Sequence, residues 1–198
     1  MTMGEVALDG RSERRRRSRL AVIHALVALA SEGNARPSTA EIAARAGLSP
    51  RSVGQIFGTQ EALLSATAEV VLRSVVRPFT APDGSVVDRV EAIVAHRASI
   101  AEATAGIRRA IAGVSSLPPV AAAMAEARAA RRAEVEDAFA DELSDLSRSV
   151  RREVLAALEA SLSAATWDEL RVGLGLSRRA SVAAVERTVL GLLAGVLA

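Results

Sequence analysis

Apolar residues recur at three- and four-residue spacing along most of this chain, the period of helices that each bury one face. Leu20, Ile23, Val27 and Ala30 form the first such stripe, on a helix expected to begin near Ser18. Gly33-Asn34 closes it, because glycine tolerates the left-handed turn after a helix. Ser38 followed by Glu41 is a capping box, and it predicts a second helix carrying Ile42, Ala43 and Ala46. Gly47 interrupts, Leu48 is apolar, and Ser49-Pro50 opens a third helix. Serine caps, and proline at the first helical position forfeits no hydrogen bond. That helix runs to about Ile56 and stops at Phe57-Gly58. Thr59 caps a fourth, with Glu61 favourably placed near the positive end of the helix dipole, continuing through Leu63, Leu64, Val70 and Val71 to Pro78.

Pro78, Pro82, Asp83 and Gly84 break the pattern. Beyond them the period predicts a helix from Val86 to Ile100 and a short one from Ile107 to Val114. A long alanine-rich helix follows from Pro118-Pro119 to about Phe139. Another is marked by Val150, Val154, Leu158 and Leu162 and ends around Gly173–Gly175. The last carries Val182, Val185, Val189, Leu193 and Val196. About nine helices are expected in all, without a solenoid repeat. Alanine, leucine and valine dominate, and aromatics make up 2% of the chain, too few for a β protein. The fold class is all-α.

The high pI of 10.6 says little, because all 25 basic residues are arginine and the chain has no lysine, cysteine or tyrosine. The distribution says more. Residues 11–58 hold nine arginines against Glu13, Glu32 and Glu41, whereas the remainder from Glu61 holds 16 against 18 acids. A basic head on a slightly acidic body suits contact with phosphates. Without cysteine there is no disulfide and no thiolate metal site. The start lacks a signal-peptide core, and the apolar tail from Val189 to Ala198 is too short to span a bilayer, so the expected location is cytoplasmic.

The segment Ser38–Phe57 places two short helices around Ala46-Gly47-Leu48-Ser49. Ile42, Ala43, Leu48 and Val53 hold them at a fixed angle, which pushes the second outward, where its first turns can enter a major groove. The run Ser38-Thr-Ala-Glu-Ile-Ala-Ala-Arg-Ala-Gly-Leu-Ser-Pro-Arg-Ser-Val53, then Ile56-Phe57, then Thr59-Gln-Glu-Ala-Leu-Leu64, resembles the DNA-binding domain of TetR-family transcriptional regulators. The resemblance covers roughly residues 16–65. It implies a helix-turn-helix domain over 16–65 and a ligand-binding and dimerisation domain over 66–198. The stretch before them, 1–15, lacks an apolar period and contains Gly4 and Gly10, and is expected to be a disordered basic arm.

By that resemblance the third helix is the recognition helix, and Pro50, Arg51, Ser52, Gly54, Gln55 and Ile56 lie where the family contacts DNA. Arg51 suits guanine and Gln55 suits adenine. Ser38, Ser49, Ser52 and Arg45 are candidates for phosphate, although Ser38 equally serves as a cap and Arg45 as a solvated charge. The family usually has Tyr at Gly54 and Lys at Gln60, both of which grip the backbone. Gln60 remains a candidate contact. Arg14–Arg17 and Arg19 offer compensation through phosphate or the minor groove, Arg17 and Arg19 foremost, unless the arm is unstructured and binding is weak.

The C-terminal part resembles the family through helix count and the run Trp167-Asp-Glu-Leu170, Gly175-Leu-Ser177 and a final amphipathic helix. In the family the last two helices pair with their copies as a four-helix bundle. Val154, Leu158, Leu162, Val185, Val189, Leu192 and Val196 are the expected interface, unless they pack within the monomer. A homodimer would present two recognition helices about 34 Å apart to a roughly palindromic operator. Phe79, His96, Met124, Phe139 and Trp167 are the candidates for an apolar effector pocket, with a core role the alternative for His96.

The implied function is transcriptional regulation, by family default a repressor released by a small lipophilic effector. The alternative is a binding protein of the same fold with weak or lost DNA binding. Neither phosphate-loop nor dinucleotide fingerprint nor His-x-x-x-His spacing appears, and the acids from Glu134 to Asp145 read as a solvated face. An enzyme, a cofactor, a metal or a membrane partner is therefore not expected.

Overall fold

The computed structural model describes the backbone of residues 3–74 and 79–197 and the side chains of residues 10–74 and 79–195. Among them the chain is all-α, with no strand: α1 (Met3–Ser31), α2 (Thr39–Ala46), α3 (Pro50–Phe57), α4 (Gln60–Ser74), α5 (Val86–Ile111), α6 (Pro118–Ala138), α7 (Ala140–Leu143), α8 (Arg148–Ser161), α9 (Ala164–Asp168) and α10 (Arg178–Leu197). A 3-10 turn (Ala112–Val114) follows α5 and a π turn (Glu169–Gly173) extends α9. The expected end of α4 at Pro78 lies outside the described residues. None of the described helices is long and apolar enough to cross a membrane.

Contacts divide the chain into two units, residues 1–73 with 104–123, and residues 74–103 with 124–198. The N-terminal unit is thus larger than the helix-turn-helix segment alone. Val22, Ile23 and Leu26 of α1, Ile42 of α2, Val53 of α3 and Leu63 of α4 are almost wholly buried in it, as are Ile107 and Val120 from the second stretch. Burying each such side chain stabilises the fold by about 1.5–3 kcal/mol. The C-terminal unit is built on Val90, Ile93 and Val94 of α5, Phe139 and Leu143 between α6 and α8, Leu155 and Leu158 of α8, and Val189 and Leu193 of α10. Two ion pairs sit at its margins, Arg97–Glu134 at 2.6 Å and Arg89–Glu142.

Three expectations change. Helix α1 begins at Met3 rather than near Ser18, and so runs through the segment read as an arm. The apolar period is absent there, but Arg16 pairs with Glu13 three residues back, at 3.1 Å. Arg14 Nε also donates to the Gly10 carbonyl. Helix propagates outward from the packed turns at little cost once nucleated. Second, the helices expected at 86–100 and 107–114 are one, α5, continued by the 3-10 turn. Gly106 is buried inside it without breaking it. A Cβ there would stand 2.7 Å from the carbonyl carbon of Ala30, and nearer still to its oxygen. Third, the stretch from Val150 to Gly173 is split, because the Ser163 hydroxyl accepts from Thr166 N and starts α9 afresh.

Candidate nucleic-acid interface

The start of α2 is fixed by the predicted capping box. Ser38 Oγ accepts from Glu41 N at 3.3 Å, and Glu41 Oε2 accepts from Ser38 N at 2.8 Å. The same carboxylate oxygen takes the Ser38 hydroxyl proton at 2.7 Å, and Asn34 Nδ2 donates to the other oxygen. These donors, the Ser38 hydroxyl first, hold the Glu41 carboxyl below the usual carboxylate range. At the other end Gly47 adopts φ 67°, a left-handed conformation that L side chains rarely adopt, and Leu48 N donates back to Ala43 O. The chain turns there and delivers Ser49 as the next cap.

Ser49 Oγ accepts from Ser52 N at 3.1 Å, and Pro50 occupies the first turn of α3. Val53 and Phe57, one helical turn apart, are buried. By helical periodicity the opposite face carries Pro50, Arg51, Gly54 and Gln55, all exposed, with Ser52 and Ile56 half-buried at its edges. Gly58 at φ 74° ends the helix, and its N–H donates to Gly54 O at 2.8 Å. Two caps and two buried anchors thus hold a short rod with one face in solvent. No other residue contacts the site of a Cβ added to Gly54.

The flanking candidates fall into two groups. Ser38, Ser49 and Gln60 are exposed, and so are Arg17 and Arg19. The Arg19 guanidinium lies 4.7 Å above the Phe57 ring, a cation–π contact that ties α1 to the end of α3. Sequence reasoning missed this contact; an arginine in a helix gives no sign of which ring it will cover. Arg45, by contrast, is clamped by Glu32 through both terminal nitrogens, and that bond holds the Glu32 carboxyl below its usual range. Arg17 lies 3.9 Å from Glu13.

No family model matches the chain, and no curated protein matches it. A solved structure from Rhodococcus sp., a "putative TetR-family transcriptional regulator", aligns with 89% of this chain and 98% of its own, at a TM-score of 0.62 and 16% identity. The fold is that of TetR-family regulators. In the TetR-type fold found here, the helix-turn-helix predicted from Ser38 to Phe57 takes the form of α2 and α3.

The structure brings only part of the candidates in the C-terminal unit together: Phe79 packs on the core that holds Phe139. Phe139 is wholly buried in the core, Met124 is exposed, and Phe79 rests against His96 with ring centroids 5.1 Å apart. Trp167 is buried in a separate small cluster with Ala98 and Ala101 and donates from Nε1 to Glu102 at 3.3 Å. Trp167 lines a cavity together with Val94, Arg97, Ser161 and Ser163. That cavity has a volume of only about 10 Å³, room for at most a single water. Of the expected interface residues, Leu158, Leu162, Val185 and Val189 are buried in the unit's own core. Val154 and Leu192 are half-buried against it, and the side chain of Val196 lies outside the described residues. The large apolar side chains of α8 and α10 are mostly consumed by the monomer.

Proposed function

We propose that this protein is a DNA-binding transcriptional regulator that acts as a homodimer. The observation that carries the reading is the exposed Pro50-Arg51-Gly54-Gln55 face of α3, presented by two capped turns and anchored by Val53 and Phe57. That rod fits the major groove, with Arg51 donating both arms of its fork to a guanine and Gln55 pairing with adenine. Ser38, Ser49 and Gln60 stand beside it for phosphate oxygens. Arg14, Arg15 and Arg19, exposed along α1, supply positive charge that supports the TetR-type resemblance.

Dimerisation rests on what the core leaves over on α8 and α10: the half-buried Val154, Leu190 and Leu192 and the exposed Val150 and Gly191. A two-fold pairing there gives two recognition helices for a two-part operator. Repression released by a small apolar effector completes the reading. With so little space beside Trp167, the effector enters by separating the helices around it and thereby favours a second conformation.

A gel shift on the DNA upstream of the protein's own reading frame tests the proposal. Binding is expected at nanomolar to micromolar protein, and Arg51→Ala should weaken it by about 1–3 kcal/mol, roughly tenfold or more. The second reading, a TetR-type binding protein without DNA affinity, is favoured only by Gly54 and Gln60. It predicts no shift at any sequence and an unaltered result in the Arg51 variant.

A further inference from the structure

The first turns of α8 go against the usual rule for helix starts. The first turn contains no acid, Glu153 coming only in the second, and Arg148 is followed by Arg151 and Arg152 three and four residues on, on one face. Like charges at that spacing repel, and cations are disfavoured at the amino end of a helix dipole. Among the described residues none of the three pairs with a carboxylate. The nearby acids Glu136 and Glu159 are engaged by Arg132 of α6, at 3.1 and 3.0 Å. A sequence that breaks a local rule without compensation in the fold does so for a reason outside it.

The space in front of these residues is a groove of about 660 Å³, open to solvent. It is lined by Arg148, Ser149, Arg151 and Arg152 of α8 and by Arg132 and Glu136 of α6, with Leu155 at its base. Its charge is strongly positive. Guanidinium forks match the oxygens of a phosphate, and a serine hydroxyl adds a donor. At about 100° per residue, these positions lie on a different side of α8 from Val150, Val154 and Ala157. The pairing face suggested above therefore leaves the groove uncovered.

We propose that the groove between α6 and α8 binds a small molecule carrying a multiply charged phosphate group. Arg148, Arg151 and Arg152 take the phosphate oxygens, and Ser149 donates a further hydrogen bond. Arg132, already neutralised by two glutamates, braces α6 against α8. The site is distinct from the apolar cavity at Trp167 and from the exposed face of α3, so it stands or falls independently of DNA binding.

Titration calorimetry of the full chain with inorganic tripolyphosphate, at constant ionic strength set with chloride, tests the site. Saturable binding is expected. The triple variant R148Q/R151Q/R152Q should bind about tenfold more weakly or worse. R179Q/R187Q, which removes two exposed arginines from α10, should stay within about twofold of the parent. Because Gln is a good helix former, the triple variant should retain its helical circular dichroism. The single exposed variants R148Q and R152Q, each expected to lose part of the affinity, give the same reading if it does not. Absence of saturable binding overturns the proposal. So does a triple variant that binds like the parent, or a loss of affinity that follows the α10 variant instead.

Discussion

Two helical glycines, Gly106 and Gly54, should respond to the same substitution with opposite signs. In Gly106→Ala the new methyl carbon would stand 2.7 Å from the carbonyl carbon of Ala30 and 3.1 Å from Ser31 N, where ordinary contact begins at 3.4 Å. The obstacle is backbone rather than a flexible side chain. The Ala30 carbonyl also accepts the turn bond from Gly33 N, so it is not free to swing away. Helix α5 must therefore retreat from the end of α1 by at least about 0.7 Å, the shortfall at the carbonyl carbon, and further to clear the oxygen. Overpacking of this kind costs about 1–3 kcal/mol, against a gain of about 0.5–1 kcal/mol from replacing glycine inside a helix. At mid-range the net expectation is a loss of about 1.3 kcal/mol, or roughly 3–5 °C in Tm for a chain of this length. In Gly54→Ala nothing opposes the methyl group, and only the propensity gain of about 1 kcal/mol remains. Urea unfolding of the two variants beside the parent, followed by circular dichroism, measures both. A Gly106→Ala protein as stable as the parent would refute the close approach of α5 to α1.

Three further outcomes follow from the charges. Arg97 and Glu134 are 9% and 12% exposed, so Glu134→Ala should cost about 3–5 kcal/mol in urea unfolding by stranding a buried guanidinium. Arg97→Leu with Glu134→Leu should recover most of that, and equal losses in both would contradict the argument. Burial first, then Glu91, raises the Glu186 carboxyl above its usual range. Its ionisation therefore opposes folding, and Glu186→Gln should be more stable than the parent at neutral pH. The gain should shrink as pH falls through the raised folded value and vanish below the unfolded one; a gain independent of pH would rule this out. Glu32→Gln releases Arg45 for a phosphate, so the slope of log affinity against log salt should steepen by about 0.9 on a DNA target. An unchanged slope would show that Arg45 does not reach the backbone.

The helix boundaries of the candidate interface were legible because their signals are local. Ser38 with Glu41, Gly47 with its left-handed turn, and Ser49-Pro50 each set a helix boundary through bonds within a few residues, and the structure shows all three. What was not legible depends on distant partners. Gly106 reads as a helix breaker until Ala30 is seen against it. The arginines of the arm offer no apolar stripe, and their helix rests on Glu13 and on propagation from packed turns. Phe139 and Met124 stood out for a pocket because aromatic residues and methionine are scarce in this chain. Rarity does not tell a core residue from a lining one, and one is buried while the other is exposed. The apolar positions of α8 and α10 showed that these helices bury a face, but not whether the neighbour was their own chain or a copy.

Selection from a random pool of duplex DNA, carried out with the parent protein and with Arg51→Ala, tests the outward face of α3 most directly. The parent should enrich a two-part site with half-site centres about 10–10.5 base pairs apart, or a multiple of that spacing. The variant should lose preference at the base pair that Arg51 reads, commonly a guanine. A pool that stays random with the parent, or an enriched site that Arg51→Ala leaves unchanged, would contradict the account.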